Sequence, residues 1–176
     1  REIDGVQVIR VSNPLRVKNI QIGPSFHKII FDVLIMFKGL QLVKKDKYAV
    51  IHGIEETGII AVLLAKLHGC KAIFEKHSDP SSYKKGLLKN CILSMYAGVE
   101  KMAVKWADGV IGTGPGLVRQ VKAMGFQTPA FHIFDIPSSL VEPAPKNISR
   151  AREELIQGDG EVLVTFVGSF AVYQGV

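Results

Sequence analysis

The chain has 176 residues, of which 47% are hydrophobic and 22% charged, with a formal net charge of +6. This composition supports a packed core and excludes a disordered chain, and the length suits one domain with part of a second. The positive charge is spread along the sequence and leaves several partners open: nucleic acid, an anionic membrane surface, a phosphorylated small molecule, or solvent alone.

In chain order, Val6 to Val11 reads as a strand. From Ser25 to about Leu42, Phe26, Ile29, Ile30, Val33, Leu34 and Phe37 recur at helical spacing. Tyr48 to Ile51 is a short buried strand ending at His52. Thr57 is placed to cap the next helix, which is apolar almost all round from Ile59 to Leu67 and is stopped by Gly69. Ala72 to Glu75 is the following strand. Beyond Pro80, a stripe of Leu87, Leu88, Cys91, Ile92, Met95, Val99, Met102, Ala103 and Trp106 predicts a long helix ending near Trp106. Gly109 to Gly112 is a strand. Thr113, Pro115 and Gly125 read as N-cap, first turn and C-cap of another helix, and Ala130 to Phe134 as a further strand.

Composition shifts after Phe134, where Pro137, Pro143 and Pro145 interrupt any long element. A charged helix follows, from about Ile148 to Ile156, then a turn at Gly158-Asp159-Gly160 and a β-prone run from Val162 to Val167. The expected organisation is therefore a Rossmann-like unit over 1–145, a linker over 146–160, and the opening strand of a second unit over 161–176.

Strands alternating with helices at this pitch predict an α/β fold: a Rossmann-like parallel sheet with helices on both faces. Ligands of such sheets bind beyond the carboxyl ends of the strands. The loops to watch are His52 to Glu55, Glu75 to Ser82, Thr113 to Gly116 and Asp135 to Ser139.

His77 is the leading site residue, just past a buried strand in Glu75-Lys76-His77-Ser78-Asp79-Pro80. An imidazole there can exchange hydrogen bonds with a sugar hydroxyl, and Asp79 is placed either to orient it or to cap the turn. The plainer alternative is a turn whose polar side chains satisfy local backbone groups. His52 ends the preceding strand, facing the same cleft or simply satisfied at the sheet edge. Thr113 and Gly114 precede a helix whose free amides favour anions and polar oxygens, although helix capping alone also explains them. Glu55 and Glu56 are adjacent on one segment, so they cannot flank a substrate as an acid/base pair; they read as acids that favour a helix dipole. No His/Cys/Asp cluster has ligand spacing, so no metal is expected. Cys91 is expected in the core, and Cys70 and Cys91 together fit a reducing compartment rather than a disulfide framework.

The order of these segments resembles the GT-B retaining glycosyltransferases of group 1, or family 4. The resemblance rests on Arg1 to Val11 as the hairpin after the second strand, and on Val50-Ile51-His52-Gly53 and Phe74-Glu75-Lys76-His77-Ser78-Asp79 at strand ends. It continues through Ala107-Asp108-Gly109-Val110-Ile111-Gly112-Thr113, through Ile133 to Pro137, and through Thr165-Phe166-Val167-Gly168-Ser169 with Gln174-Gly175-Val176 as the opening of a donor domain. It implies the N-terminal half of a GT-B fold, lacking its first strand and acceptor loop and stopping just inside the donor domain. The intact enzyme would transfer a sugar, with retention, from a nucleotide-diphosphate sugar to a hydroxyl acceptor, and the piece alone would be inactive. By the same resemblance His77 sits by the transferred sugar, Gly114 lines the cleft, and Gly168 and Ser169 approach the donor pyrophosphate. The chain departs from the family pattern in three places: Ser169 stands where a basic residue is common, Gln174 where lysine is, and Asp135-Ile136-Pro137-Ser138 replaces the common Asn-Gly-Val-Asp.

No cofactor or metal is implied. The basic charge suits a phosphorylated, lipid-linked or membrane-surface acceptor, and the expected setting is the cytoplasm, including the inner face of the membrane. Nucleic acid is not an expected partner, because no basic stripe with interleaved aromatics is present. The competing readings are a GT-B-fold sugar-nucleotide epimerase and a non-catalytic α/β module that binds an anion.

Overall fold

The structure is a computed structural model, and it describes residues 2–14, 16, 26–79, 87–134, 143–156 and 158. The chain divides into two compact units, Arg1–Phe134 and Asp135–Val176.

The first unit opens with a two-stranded antiparallel hairpin, β1 (Glu2–Ile3) and β2 (Val6–Gln7). It is shorter than the strand expected to run to Val11. Helix α1 (Phe26–Lys45) follows. Strand β3 (Val50–Ile54), a single 3-10 turn at Glu55–Thr57 and helix α2 (Gly58–His68) come next. They lead to β4 (Lys71–Lys76), α3 (Leu87–Trp106), β5 (Gly109–Gly112), α4 (Pro115–Ala123) and β6 (Ala130–His132). Strands β3, β4, β5 and β6 pair in that order, all parallel, giving the expected α/β sheet flanked by helices.

Each crossover moves one strand further in the same direction, and right-handed crossovers then put the connecting helices α2, α3 and α4 on one face, whereas helices on both faces were expected. The core follows this geometry. Ala72, Phe74 and Val110 of the sheet bury against Val62 and Ala65 of α2, Ala103 and Val104 of α3, and Val121 of α4. Helix α1 joins this layer through α2, with Gly39 against Leu64. On the opposite face Val50, Ile54 and Phe131 are exposed.

Several local expectations change. Strand β3 runs two residues past His52, so that histidine lies inside the strand. Thr57 is the N-cap residue of α2 as expected but makes no side-chain cap bond to it; its hydroxyl accepts the Ile54 amide and donates to the Ile54 carbonyl, closing the 3-10 turn. The N-cap of α4 is Gly114 rather than Thr113, with Pro115 at the first turn as expected. Gly69 ends α2 in the left-handed conformation, φ 70°, which a glycine adopts without a Cβ clash. Cys91 is exposed, as are Met95 and Met102. Of the predicted stripe α3 buries Ala103, together with the neighbouring Val104, and their small side chains let the helix axis approach the core closely.

In the second unit, helix α5 (Pro145–Leu155) starts three residues earlier than the charged helix read from sequence, with Pro145 in its first turn. The predicted strand at Val162 to Val167 lies outside the described residues.

The packing of α2 on β4 gives a paired prediction. A Cβ at Gly58 would collide with the Phe74 ring, whereas one at Gly98, inside α3, would meet nothing within 4 Å. Gly58→Ala should therefore lose about 1–3 kcal/mol through overpacking. Gly98→Ala should gain about 0.5–1 kcal/mol from helix propensity and a less flexible unfolded chain. Urea denaturation measures both, and equal effects at the two positions would contradict the packing described.

Candidate functional site

Strand pleat and register assemble the site. Along β4, Ala72, Phe74 and Lys76 point to the helix-covered face, and Ile73 and Glu75 to the other. In the parallel register His52 of β3 lies opposite Ile73, one pleat period before Glu75. His52 and Glu75 therefore share a face on neighbouring strands.

At the carboxyl end, the Glu75 carboxylate is shared between two imidazoles. His77 Nε2 lies 2.6 Å from Glu75 Oε1, and His52 Nε2 lies 2.8 Å from Glu75 Oε2. The Glu75 side chain is 18% exposed, against 36% for His77 and 42% for His52.

A second carboxylate holds the backbone of the same loop. Glu55 Oε1 accepts the His77 amide at 2.5 Å, and Glu55 Oε2 accepts the Ser78 hydroxyl at 2.9 Å. Glu55 does this from a left-handed backbone, φ 53°, unusual for a residue with a Cβ. Glu56 turns away to meet Lys28 of α1 at 2.8 Å. The adjacent acids lie in the first turn of the 3-10 segment leading into α2, at a helix start as read from sequence, and both also bond to other elements.

Beneath the loop, Lys76 is buried at 1% exposure and its ammonium donates to Glu100 Oε1 of α3 at 2.5 Å. Burial raises the Glu100 carboxyl above the ordinary range, and Lys76 pulls it back only in part; Asp79 and Glu55 push it further up. The neighbouring strand end is tied in by the Thr113 amide, which donates to the Lys76 carbonyl at 3.2 Å.

The structure thus brings His77, Asp79 and Thr113 to the carboxyl ends of β4 and β5, and His52 joins them from inside β3 through its ring contact with Glu75. The carboxylate on the His77 ring is Glu75, and Asp79 bears electrostatically on Glu100. Gly114 has an extended backbone and open space where a Cβ would stand, so packing does not demand glycine there. Gly168, Ser169 and the 135–139 loop lie outside the described residues. Among the described residues no group of three His, Cys, Asp or Glu side chains is arranged to hold a metal ion, and no helix is long and apolar enough to cross a membrane.

Sequence reasoning missed Glu75, Glu55, Lys76 and Glu100. The parity of β4 carried part of the signal: Lys76 shares its face with Phe74, and Glu75 shares its face with His77. The partners in α3 and in the 3-10 turn are distant in sequence and left no local trace.

No known family model matches the chain, and no curated protein sequence matches it.

The buried pair gives a pH-dependent prediction. Lys76→Met leaves the Glu100 carboxyl buried without its ammonium, which should cost about 3–5 kcal/mol near neutral pH. A carboxyl whose folded pKa is raised binds more protons folded than unfolded. Its stabilising contribution is therefore complete below the ordinary carboxylate pKa and is lost as pH rises through the raised one. Without Lys76 that pKa moves higher still. The deficit of Lys76→Met should accordingly shrink as pH falls toward the carboxylate range, measured by denaturation at a series of pH values. A deficit independent of pH would show that packing, not charge, makes Lys76 matter.

Proposed function

We propose that the chain is the acceptor-side half of a retaining GT-B glycosyltransferase, which moves a sugar from a nucleotide-diphosphate sugar to a hydroxyl acceptor. The observation that carries this reading is the cluster of His52, Glu75 and His77 at the carboxyl edge of a parallel sheet. That edge is where open α/β sheets bind their ligands. The order of motifs along the chain supports it independently.

In this reading His77 hydrogen-bonds the transferred sugar near its oxocarbenium-like centre. Thr113 and Gly114 line the cleft, and Gly168 and Ser169 approach the donor pyrophosphate. Fixed dipoles and side chains neutralise the leaving phosphate, with no metal required. The basic surface charge suits an acceptor that is phosphorylated, lipid-linked or presented at the inner face of a membrane.

Local charge bears on the rival reading of an anion-binding module. Around the His77 loop, Glu55, Glu75, Asp79 and Glu100 supply carboxylates, and Lys76 is already engaged by Glu100. A phosphate held at this strand end would face those carboxylates. Neutral hydroxyls suit it better, and any phosphate of the acceptor is then bound elsewhere.

In the full-length enzyme, His77→Ala should lower kcat/KM by about 100-fold or more, the scale of losing one hydrogen bond that strengthens in the transition state. Thermal stability should change little, because the ring is only partly buried. Near-normal turnover would overturn this role for His77.

A further inference from the structure

We propose that Glu75 is a positioning residue whose single carboxylate fixes both imidazoles, His52 and His77, with Nε2–H engaged and Nδ1 left as the acceptor nitrogen of each ring.

Each carboxylate oxygen takes one ring, at 2.6 Å for His77 and 2.8 Å for His52. An ionised carboxylate only accepts hydrogen bonds, so both Nε2 atoms must donate. A neutral histidine that donates from Nε2 carries its lone pair on Nδ1. The shared carboxylate therefore sets the tautomer of both rings at once. Glu75 is more sheltered than either imidazole, so water competes less for it than for the rings. Its neighbour Lys76 does not compete for it either, since Lys76 lies on the opposite face of β4 and bonds Glu100. The mount of the His77 ring is also fixed, because Glu55 holds the His77 amide and the Ser78 hydroxyl.

The consequence is chemical. Two rings committed in this way offer acceptors, and acceptors recognise O–H groups. A phosphate oxygen needs donors and finds none in these nitrogens. This deepens the proposed function by assigning the residue that selects for a hydroxyl-bearing ligand. The link to sugar transfer rests on that reading, whereas the tautomers do not.

The test uses the protein labelled with 15N-histidine at about pH 8, well above the ordinary histidine range. Long-range 1H–15N spectra report the tautomer of each ring, and His52→Gln and His77→Gln variants assign the signals. Both rings are expected as Nε2–H. In Glu75→Gln, the amide offers one acceptor and one donor in place of two acceptors. One ring should then remain Nε2–H and the other become Nδ1–H, with the backbone amide spectrum showing that the fold is kept. An Nδ1–H signal from either ring in the unaltered protein would overturn the proposal, as would two unchanged rings in Glu75→Gln. In the full-length enzyme, Glu75→Gln should lower kcat about 10- to 100-fold, by analogy with the loss of a carboxylate that orients a metal-bound histidine. The tautomer change with unaltered kcat would sustain the positioning role and overturn the part of the pair in sugar transfer.

Discussion

The pleat of β4 is the constraint on which the rest of the site depends. Successive residues of a strand point to opposite faces, so Phe74 and Lys76 go to the helices while Glu75 goes to the other face. Phe74 fixes which way round this happens. Buried to 3% exposure over Gly58, it contributes about 1.5–3 kcal/mol that a one-residue slip would forfeit. The Lys76–Glu100 pair adds little net stability by comparison, because desolvating two charges largely offsets their attraction. Its effect is on specificity. A slipped strand would leave Glu100 buried without its partner, so the pair penalises the wrong register more than it rewards the right one. With the register fixed, Glu75 falls beside His52 on the neighbouring strand and beside His77 two residues on.

The turn after β3 completes the arrangement at a local cost. The left-handed backbone of Glu55 costs on the order of 1 kcal/mol or more. It is offset by hydrogen bonds from the His77 amide and the Ser78 hydroxyl to an acidic acceptor, each on the order of 1 kcal/mol at a partly exposed site. Thr57 closes the same turn by bonding both backbone groups of Ile54. The amino ends of the strands are held more simply. There Asp108 accepts the Lys71 ammonium and the Ala72 amide, and those bonds lower its carboxyl below the usual range. That end needs only pairing of exposed groups, whereas the carboxyl end combines strain, a buried ion pair and a shared carboxylate. Strained and buried polar features concentrate where a protein has something to position, which is an independent reason to look for function at His77.

Periodicity made the elements legible. The long stripe after Pro80 marked α3, the glycine at 69 marked the end of α2, and the alternation of strands and helices gave the parallel sheet. It failed where more than one face of an element was apolar. Helix α3 carries Met95 and Met102 on one side and Ala103 and Val104 on another, and spacing alone could not say that the smaller residues pack. Cys91 was misplaced into the core for the same reason. The site was legible at His77 because an imidazole just past a strand end stands out; His52 reads from sequence as a strand end too, although it lies inside β3. Its supports were not, since Glu55 lies 22 residues from His77 and Lys76 lies 24 from Glu100. Side-chain bonds over such separations follow from the fold and cannot be read before it.

The protein is basic overall, yet the described strand-end site gathers carboxylates. The two facts act over different distances. In physiological salt a surface charge is screened within roughly 8 Å, so the overall excess acts on encounters with whole surfaces rather than on contacts inside the site. Recognition at the site depends instead on groups within hydrogen-bond reach: two imidazoles sharing Glu75, and carboxylates already occupied by the backbone, Ser78 and Lys76. Such a site gains little from binding an anion and more from binding neutral donors. Under the proposed function, a charged acceptor therefore binds its charge away from these groups and presents a neutral hydroxyl to them.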